Sequence, residues 1–513
     1  MEKRFSGLTA VLLFVWVLGL AGMSEAQKYG GTVTLGMYSD LMTTDLHRMI
    51  GNPTAQFGML VAPSLVDFDD GGSFVPGLAE SWKVSPDASE YTFFLRKNIL
   101  FHNGRELTAE DIKKNIERLQ DEKTRSPRRE EYLIIKKVEA IDKYTVRFYL
   151  TGPNAAFLTV LRPSNMFITA PESFESNHPI GAGPFEFVEW KTRQYVKVKR
   201  YKNYWKKDKS GNQLPYVDEV ILKPIPDDAV RYTALRTGDV DWIWAFPFEQ
   251  IPEIRKNPPP GIVASIRGGE RSIQLNLNCA RGPTKDVRVR QAMAYAIDKK
   301  ELMEGLTWGV APPEAQKFPR GTDWYFEGIE DPYRVADLAK ARQLLKEAGY
   351  EKGVPLNMIV RNETFIMNMA ALAQAHLKRI GIDLKLEIID RTTHQARQQK
   401  QQFDLYPTHL PPVPDPDDYY VYYRSKADQN YTGYSNPECD KLLEEGRRTG
   451  DVAKRKEIYR KVVELINRDL PSIFLGHYPV AQASRTYLKN MKTNSRGDVI
   501  WAYGGITQAW LEK

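Results

Sequence analysis

Residues 78–119 read LAESWKVSPDASEYTFFLRKNILFHNGRELTAEDIKKNIERL, and no other stretch constrains the fold as tightly. Tyr91, Thr92, Phe93, Phe94 and Leu95 are aromatic or branched enough for a strand, and Pro86-Asp87 before them is a turn signal. Asn103-Gly104 marks a tight turn, because this pair tolerates positive φ at little cost. Thr108, with Asp111 three residues later, predicts a capped helix through Leu119. The stretch is therefore a strand, a turn, a short extended piece and a helix. It holds no catalytic constellation, and His102 at the turn is expected to make structural hydrogen bonds.

The same residues, as LAESW, then LR, then FH-x-G, then LTAED, closely resemble the signature of the family 5 extracellular solute-binding proteins. These are the substrate-capturing subunits of importers for peptides, nickel chelates and related solutes. The resemblance continues through G-A-G-P-F at 181–185, Asn203-Tyr204-Trp205, residues 215–220, ALRTGDVD at 234–241 and DVRVRQAMAYAID at 286–298. It covers nearly the whole chain after the N-terminus, to about Arg485. It implies an α/β, type II periplasmic-binding-protein-like fold with two lobes joined at a hinge. Lobe I would comprise 27–272 and 483–513, with an extra subdomain at about 48–180, and lobe II would comprise 273–482.

At 513 residues the chain is long enough for two or three domains. Its N-terminus has the pattern of an export signal: Lys3 and Arg4, an apolar run at 8–21, and Ser24-Glu25-Ala26 as a small-x-small cleavage site. The apolar run is short for a membrane anchor, and no cysteine near the site would carry a lipid. The expected mature protein starts at Gln27, is soluble and not a lipoprotein, and in this family belongs to a periplasm. Cleavage removes two basic and two acidic residues and leaves the net charge at +7. Basic and acidic residues are interleaved without a dense basic run, which argues against a nucleic-acid partner. Cys279 and Cys439 are the two cysteines. They could bridge in an oxidising compartment or lie buried as thiols.

Local patterns predict an alternating strand at 31–36, a strand at 144–150, a helix starting in 153–161, and strands from 185 to 198. A helix at 227–241 ends at Gly238, a strand covers 273–278, and a helix starts at Asp286. The second half alternates: helix 336–349, strand 355–360, helix 366–380, strand 382–388, then helices at 431–448 and 452–468. That alternation favours an α/β lobe on a largely parallel sheet.

No HExxH, paired-histidine ligand spacing, G-x-S-x-G elbow or P-loop is present, so neither an enzyme nor a metal or cofactor is expected. GAGP lacks the remaining elements of a phosphate loop. The informative region for a binder is 403–424, FDLYPTHLPPVPDPDDYYVYYR, read as a stiff, proline-rich extended loop. Asp415 and Asp417 match the family's Asp-Pro-Asp segment. Peptide-binding members usually carry, three residues earlier, an aspartate that pairs with the peptide amine. Pro412 stands there, and His409 stands where a tryptophan is common. An amine entering beside Pro412 would be desolvated and poorly paired.

Arg361 falls where dipeptide-binding members place an arginine for the ligand carboxylate, a task suited to a guanidinium fork. It also reads as a solvated arginine at a strand end. Tyr419, Tyr420, Tyr422 and Tyr423 could stack on a ligand or pack a core. Trp501 is in the same position, and His409 could meet a metal chelate. The resemblance thus implies an ABC-importer subunit that captures a peptide-like or other small organic solute in a cleft between the lobes; Arg361 and Pro412 together suggest one with an acidic group and no free amine in the usual place. The subunit would work as a monomer and deliver its cargo to permease subunits in the inner membrane. A periplasmic hydrolase and a peptide-binding chaperone are the rival classes.

Overall fold

The computed structural model describes residues 28–49 and 51–512. The expected leader, 1–26, lies outside the described residues. The largest sheet has ten strands: β1 (Thr32–Met37), β2 (Phe185–Lys191), β3 (Tyr195–Arg200), β4 (Glu219–Pro224), β5 (Trp242–Ile243), β6 (Ile262–Leu277), β7 (Val354–Arg361), β8 (Ile382–Ile389), β9 (Leu405–Leu410) and β10 (Ser472–Arg485). Their order is β8-β7-β9-β6-β10-β5-β1-β4-β3-β2.

At one end of this sheet, β1 pairs in parallel with β4 and β5. Its buried residues Val33, Leu35 and Met37 join a core with Phe57, Leu60, Val198 and Leu222. The chain's last segment returns here, adding Leu488, Val499, Ile506 and Leu511 to that core. At the other end, β7 runs parallel to β8 and β9. Ile273, Leu275 and Leu277 of β6 pack there against the helices Val287–Ala296, Lys299–Thr307 and Thr364–Lys378. This half is mixed rather than largely parallel, because β6 and β10 run antiparallel to each other and β6 runs antiparallel to β9.

β6 and β10, of 16 and 14 residues, belong to both halves and carry the chain across. Their register shifts between Arg267 and Arg271, opposite Tyr478. Gly269 at this irregularity has no room for a side chain, since a Cβ would lie 2.4 Å from the Tyr478 carbonyl oxygen. The shift changes which residues face each side of the crossing.

The 78–119 stretch sits in a separate four-stranded antiparallel sheet made by Ala79–Val84, Glu90–Leu95, Thr145–Leu150 and Ile135–Asp142. Ile112 and Ile116 of the helix Ala109–Gln120 pack on Tyr91, Phe93 and Phe148. The Asp111 carboxylate accepts from the Thr108 N–H at 2.9 Å, and Arg105 binds both of its oxygens at 2.8 and 3.0 Å. His102 faces the Gly183 carbonyl through Nε2 at 3.1 Å, and its backbone N–H reaches the Gly181 carbonyl at 2.8 Å. Burial holds its ring pKa at about 4. A Cβ at Gly181 would come within 2.0 Å of the Val61 oxygen. The signature turn and the GAGP turn therefore lock onto each other and onto the end of the helix Asn52–Val61.

Several local expectations are corrected. The expected helix at 153–161 is only a 3-10 turn, Phe157–Thr159. The helix expected from 431 begins at Pro437, with Asn436 capping it. Residues 403–424 are not one extended loop: they form β9, a short connection and the helix Asp418–Tyr423. Among the described residues no helix is long and apolar enough to cross a membrane.

Candidate functional site

The crossing strands hold the most distinctive polar arrangement. Arg271 follows the register shift in β6 and faces Tyr478 of β10, with its guanidinium carbon 5.9 Å from the ring centre. From β9, His409 meets Arg271 Nη1 through Nδ1 at 3.2 Å and Glu363 Oε1 through Nε2 at 2.8 Å. Arg361, at the end of β7, donates to the other Glu363 oxygen from Nε and Nη2 at 3.0 and 2.6 Å. The four side chains form one chain, Arg361–Glu363–His409–Arg271.

The partners dictate the protonation states. Arginine has no acceptor, so Nδ1 of His409 must present its lone pair to Arg271. The proton then sits on Nε2 and is donated to Glu363, leaving the imidazole neutral. Burial lowers the His409 pKa, Glu363 pulls it upward, and Arg271 adds to the lowering. Burial pushes Glu363 up, but its bonds with His409 and Arg361 outweigh that and leave it at about 2. The group therefore carries a net single positive charge at neutral pH.

Aromatic rings surround it. Tyr478 contacts Phe248, Phe365 and His409 at 5.3, 4.6 and 5.5 Å between ring centres, and Trp308 lies against Phe248 at 6.2 Å. Tyr38, just beyond β1, feels both Arg271 and Arg231, although burial keeps its hydroxyl pKa raised. The site is thus built from both ends of the sheet and from the strands that join them.

A second polar cluster lies next to it along the crossing strands. Glu270 and His477 line a cavity of about 530 Å3 together with Glu314, Glu327, Asp331 and Arg334. Glu270 is buried against Arg496, with an oxygen–nitrogen distance of 3.1 Å. Burial raises the Glu270 carboxyl above its ordinary range, with Arg496 opposing. Arg496 also donates to the Pro412 carbonyl at 3.0 Å. A guanidinium therefore adjoins the place where the resemblance put the amine-binding aspartate.

The structure brings Arg361 and His409 together, through Glu363. It places the other expected ligand groups elsewhere. Asp415 accepts two bonds from Arg455 at 2.7 and 2.9 Å, and Asp417 accepts two from Arg447 at 2.6 and 3.0 Å, with both carboxylates buried. Tyr419 is fully buried in a core with Phe318 and Tyr423. Its neighbours Tyr420, Tyr422 and Tyr423 lie on the same short helix, Asp418–Tyr423. Trp501 donates from Nε1 to the Lys492 carbonyl at 2.9 Å and lies beside Tyr503.

Cys279 and Cys439 stand as free thiols. Both pack at one core, and burial pushes their thiols up to about 11 and about 12, away from the reactive thiolate. Among the described residues no three His, Cys, Asp or Glu side chains are grouped to hold a metal ion.

Sequence reasoning missed Arg271, Glu363, Tyr478 and Arg496. Two adjacent glycines inside a strand pattern, Gly268-Gly269, were the available signal for the irregularity that aims Arg271.

Known proteins agree with this architecture. The model of bacterial extracellular solute-binding proteins, family 5 (middle region), matches residues 73–431. The glutathione-binding protein GsiB of Pectobacterium atrosepticum is 29% identical over 438 residues, covering 80% of this chain and 82% of its own. The periplasmic binding protein DppA of Helicobacter pylori, solved with the peptide STSA, is 27% identical with a TM-score of 0.74, covering 95% of this chain and 99% of its own. AgaA of A. tumefaciens R10, solved with agropinic acid, is also 27% identical with a TM-score of 0.74, covering 94% and 99%. With the family model spanning most of its length and two-lobed binding proteins matching its fold, the chain belongs to family 5 of the bacterial extracellular solute-binding proteins and is a solute-binding subunit for ABC import, not an enzyme.

Proposed function

We propose that the protein captures a small acidic organic solute, such as an N-blocked or otherwise amine-poor peptide-like acid, in the cleft at the crossing strands. The observation that carries this reading is the pairing of Pro412 with Arg496. Where peptide-binding relatives are expected to offer a carboxylate, this chain has a proline whose carbonyl accepts from a buried guanidinium. A protonated amine there would find the nearby carboxylates of Glu270 and Asp498 already engaged by Arg496, in a poorly hydrated place, which is costly. The net positive Arg361–Glu363–His409–Arg271 group supports an acid as cargo. Agropinic acid, the named ligand of the relative AgaA, is an acid and is compatible with it.

In this reading the leader is cleaved after Ala26, and a soluble, non-lipidated monomer works in the periplasm. Its two lobes, 27–272 with 483–513 and 273–482, close on the solute by bending at the crossing. Ligand drives closure only as far as it binds the closed form better. The closed form then docks on inner-membrane permease subunits.

The test is thermal stabilisation of the solute-stripped mature protein by free peptides, N-blocked peptides, organic acids, oligosaccharides and nickel–histidine. A ligand at a hundred times its dissociation constant adds about 2.7 kcal/mol. Stabilisation by acids and blocked peptides is expected. Stabilisation by free peptides alone would overturn the reading.

A further inference from the structure

We infer that Arg271, rather than Arg361, receives the solute's carboxylate, and that the group beside that carboxylate is apolar or flat. This deepens the proposed acidic cargo and rests on it. The two arginines differ in what they have left to offer. Arg361 has Nε and Nη2, the two ends of one guanidinium edge, both occupied by the same Glu363 oxygen. Arg271 has no carboxylate within ion-pair distance among the described residues, and only its Nη1 is engaged, by His409. Among the described residues its Nε and Nη2 take no hydrogen-bond partner, and they form a parallel fork.

That fork is preorganised. His409 holds Nη1 from one side, and the Tyr478 ring lies under the guanidinium. Glu363 fixes the tautomer that lets His409 accept, and Arg361 neutralises Glu363, so that the acid does not repel an incoming anion. A monocarboxylate on the fork would cancel the single net charge of the group. Two charge-assisted bonds in such a half-buried setting favour a carboxylate strongly over the isosteric amide, which offers one acceptor and no charge. The half-buried rings of Phe365 and Phe248 pack on Tyr478, the ring under the fork, and offer apolar surface suited to an apolar or planar substituent.

The test uses N-acetyl-alanyl-phenylalanine and its C-terminal amide as probes, titrated calorimetrically into the stripped mature protein. The acid is expected to bind about 10–100-fold more tightly than the amide. Arg271→Gln should erase that ratio, and Arg271→Lys should keep part of it. Arg361→Lys, which still neutralises Glu363, should leave the ratio within about threefold. Unchanged unliganded melting temperatures establish that the variants fold. Equal binding of acid and amide, failure of both probes to bind, or an acid preference surviving in Arg271→Gln would overturn the inference. Free alanyl-phenylalanine binding better than its acetylated form would instead overturn the amine-poor cargo. The acid–amide ratio and its Arg271 dependence would still be readable in that outcome.

Discussion

Replacing Asp415 separates a structural carboxylate from a ligand-binding one. Arg455 is 4% exposed and Asp415 9% as side chains, and two bonds of 2.7 and 2.9 Å join them. Asp415→Ala leaves the guanidinium buried without its direct partner, with only Asp417, itself paired to Arg447, nearby, a loss of about 3–5 kcal/mol in comparable pairs. Arg455 keeps its bond to the Gly446 carbonyl at 3.0 Å and lies 5.1 and 5.4 Å from the Trp324 and Tyr459 rings. Those contacts place the expected cost at the lower end, about 3 kcal/mol. If the affected lobe unfolds as a unit of about 200 residues, its melting temperature falls by about 6–12 °C. The double variant Asp415→Leu with Arg455→Met removes both charges and should recover at least about 2 kcal/mol of that loss. Solute affinity should be unchanged in every variant that folds. Chemical denaturation and calorimetric titration read the two quantities separately. A stability loss below about 1 kcal/mol, or lost affinity at unchanged stability, would refute the structural assignment and return Asp415 to the solute site.

Three further outcomes are expected. Pro412→Asp alone should not create affinity for free dipeptides, because the new carboxylate would pair with Arg496; calorimetric detection of such binding would contradict that role. His47, His102, His394 and His477 are each held near 4 by burial first, so the unfolded chain, titrating near 6.5, binds more protons below that pH. Stability should be full above pH 6.5 and decline as pH falls toward 4, and a melting temperature flat from pH 7 to 4.5 would rule this out. Alkylation without reductant should label two thiols in the unfolded protein and neither of them quickly in the native one; no labelling until reductant is added would reveal a disulfide instead.

The signature stretch was legible because its causes are local. Asn103-Gly104 sets a turn and Asp111 reaches only three residues back to cap a helix, so sequence spacing is enough. Residues 262–277 were not legible as one strand, since Gly268-Gly269-Glu270 interrupts the alternation and only β10 pairing restores it. The tyrosines at 419–423 read as part of an extended loop. Asp417 and Asp418 instead open a helix whose buried face is fixed by distant Phe318 and Tyr434. At the site, Arg361 and His409 could be singled out by position along the chain. Their significance depends on Glu363, and on an arginine 138 residues away from His409, so it emerges only when the sheet is assembled. Asp415 and Asp417 show the converse. Their motif was conspicuous, yet Arg455 and Arg447 lie 40 and 30 residues on, and pairing there makes them part of the scaffold.

The most direct test of amine-poor acid capture between the lobes is small-angle X-ray scattering on the stripped mature protein. It would be run with saturating N-acetyl-alanyl-phenylalanine and then with free alanyl-phenylalanine. The account predicts a smaller radius of gyration with the acetylated acid and no change with the free dipeptide. Contraction with the free dipeptide and none with the acetylated acid would contradict it.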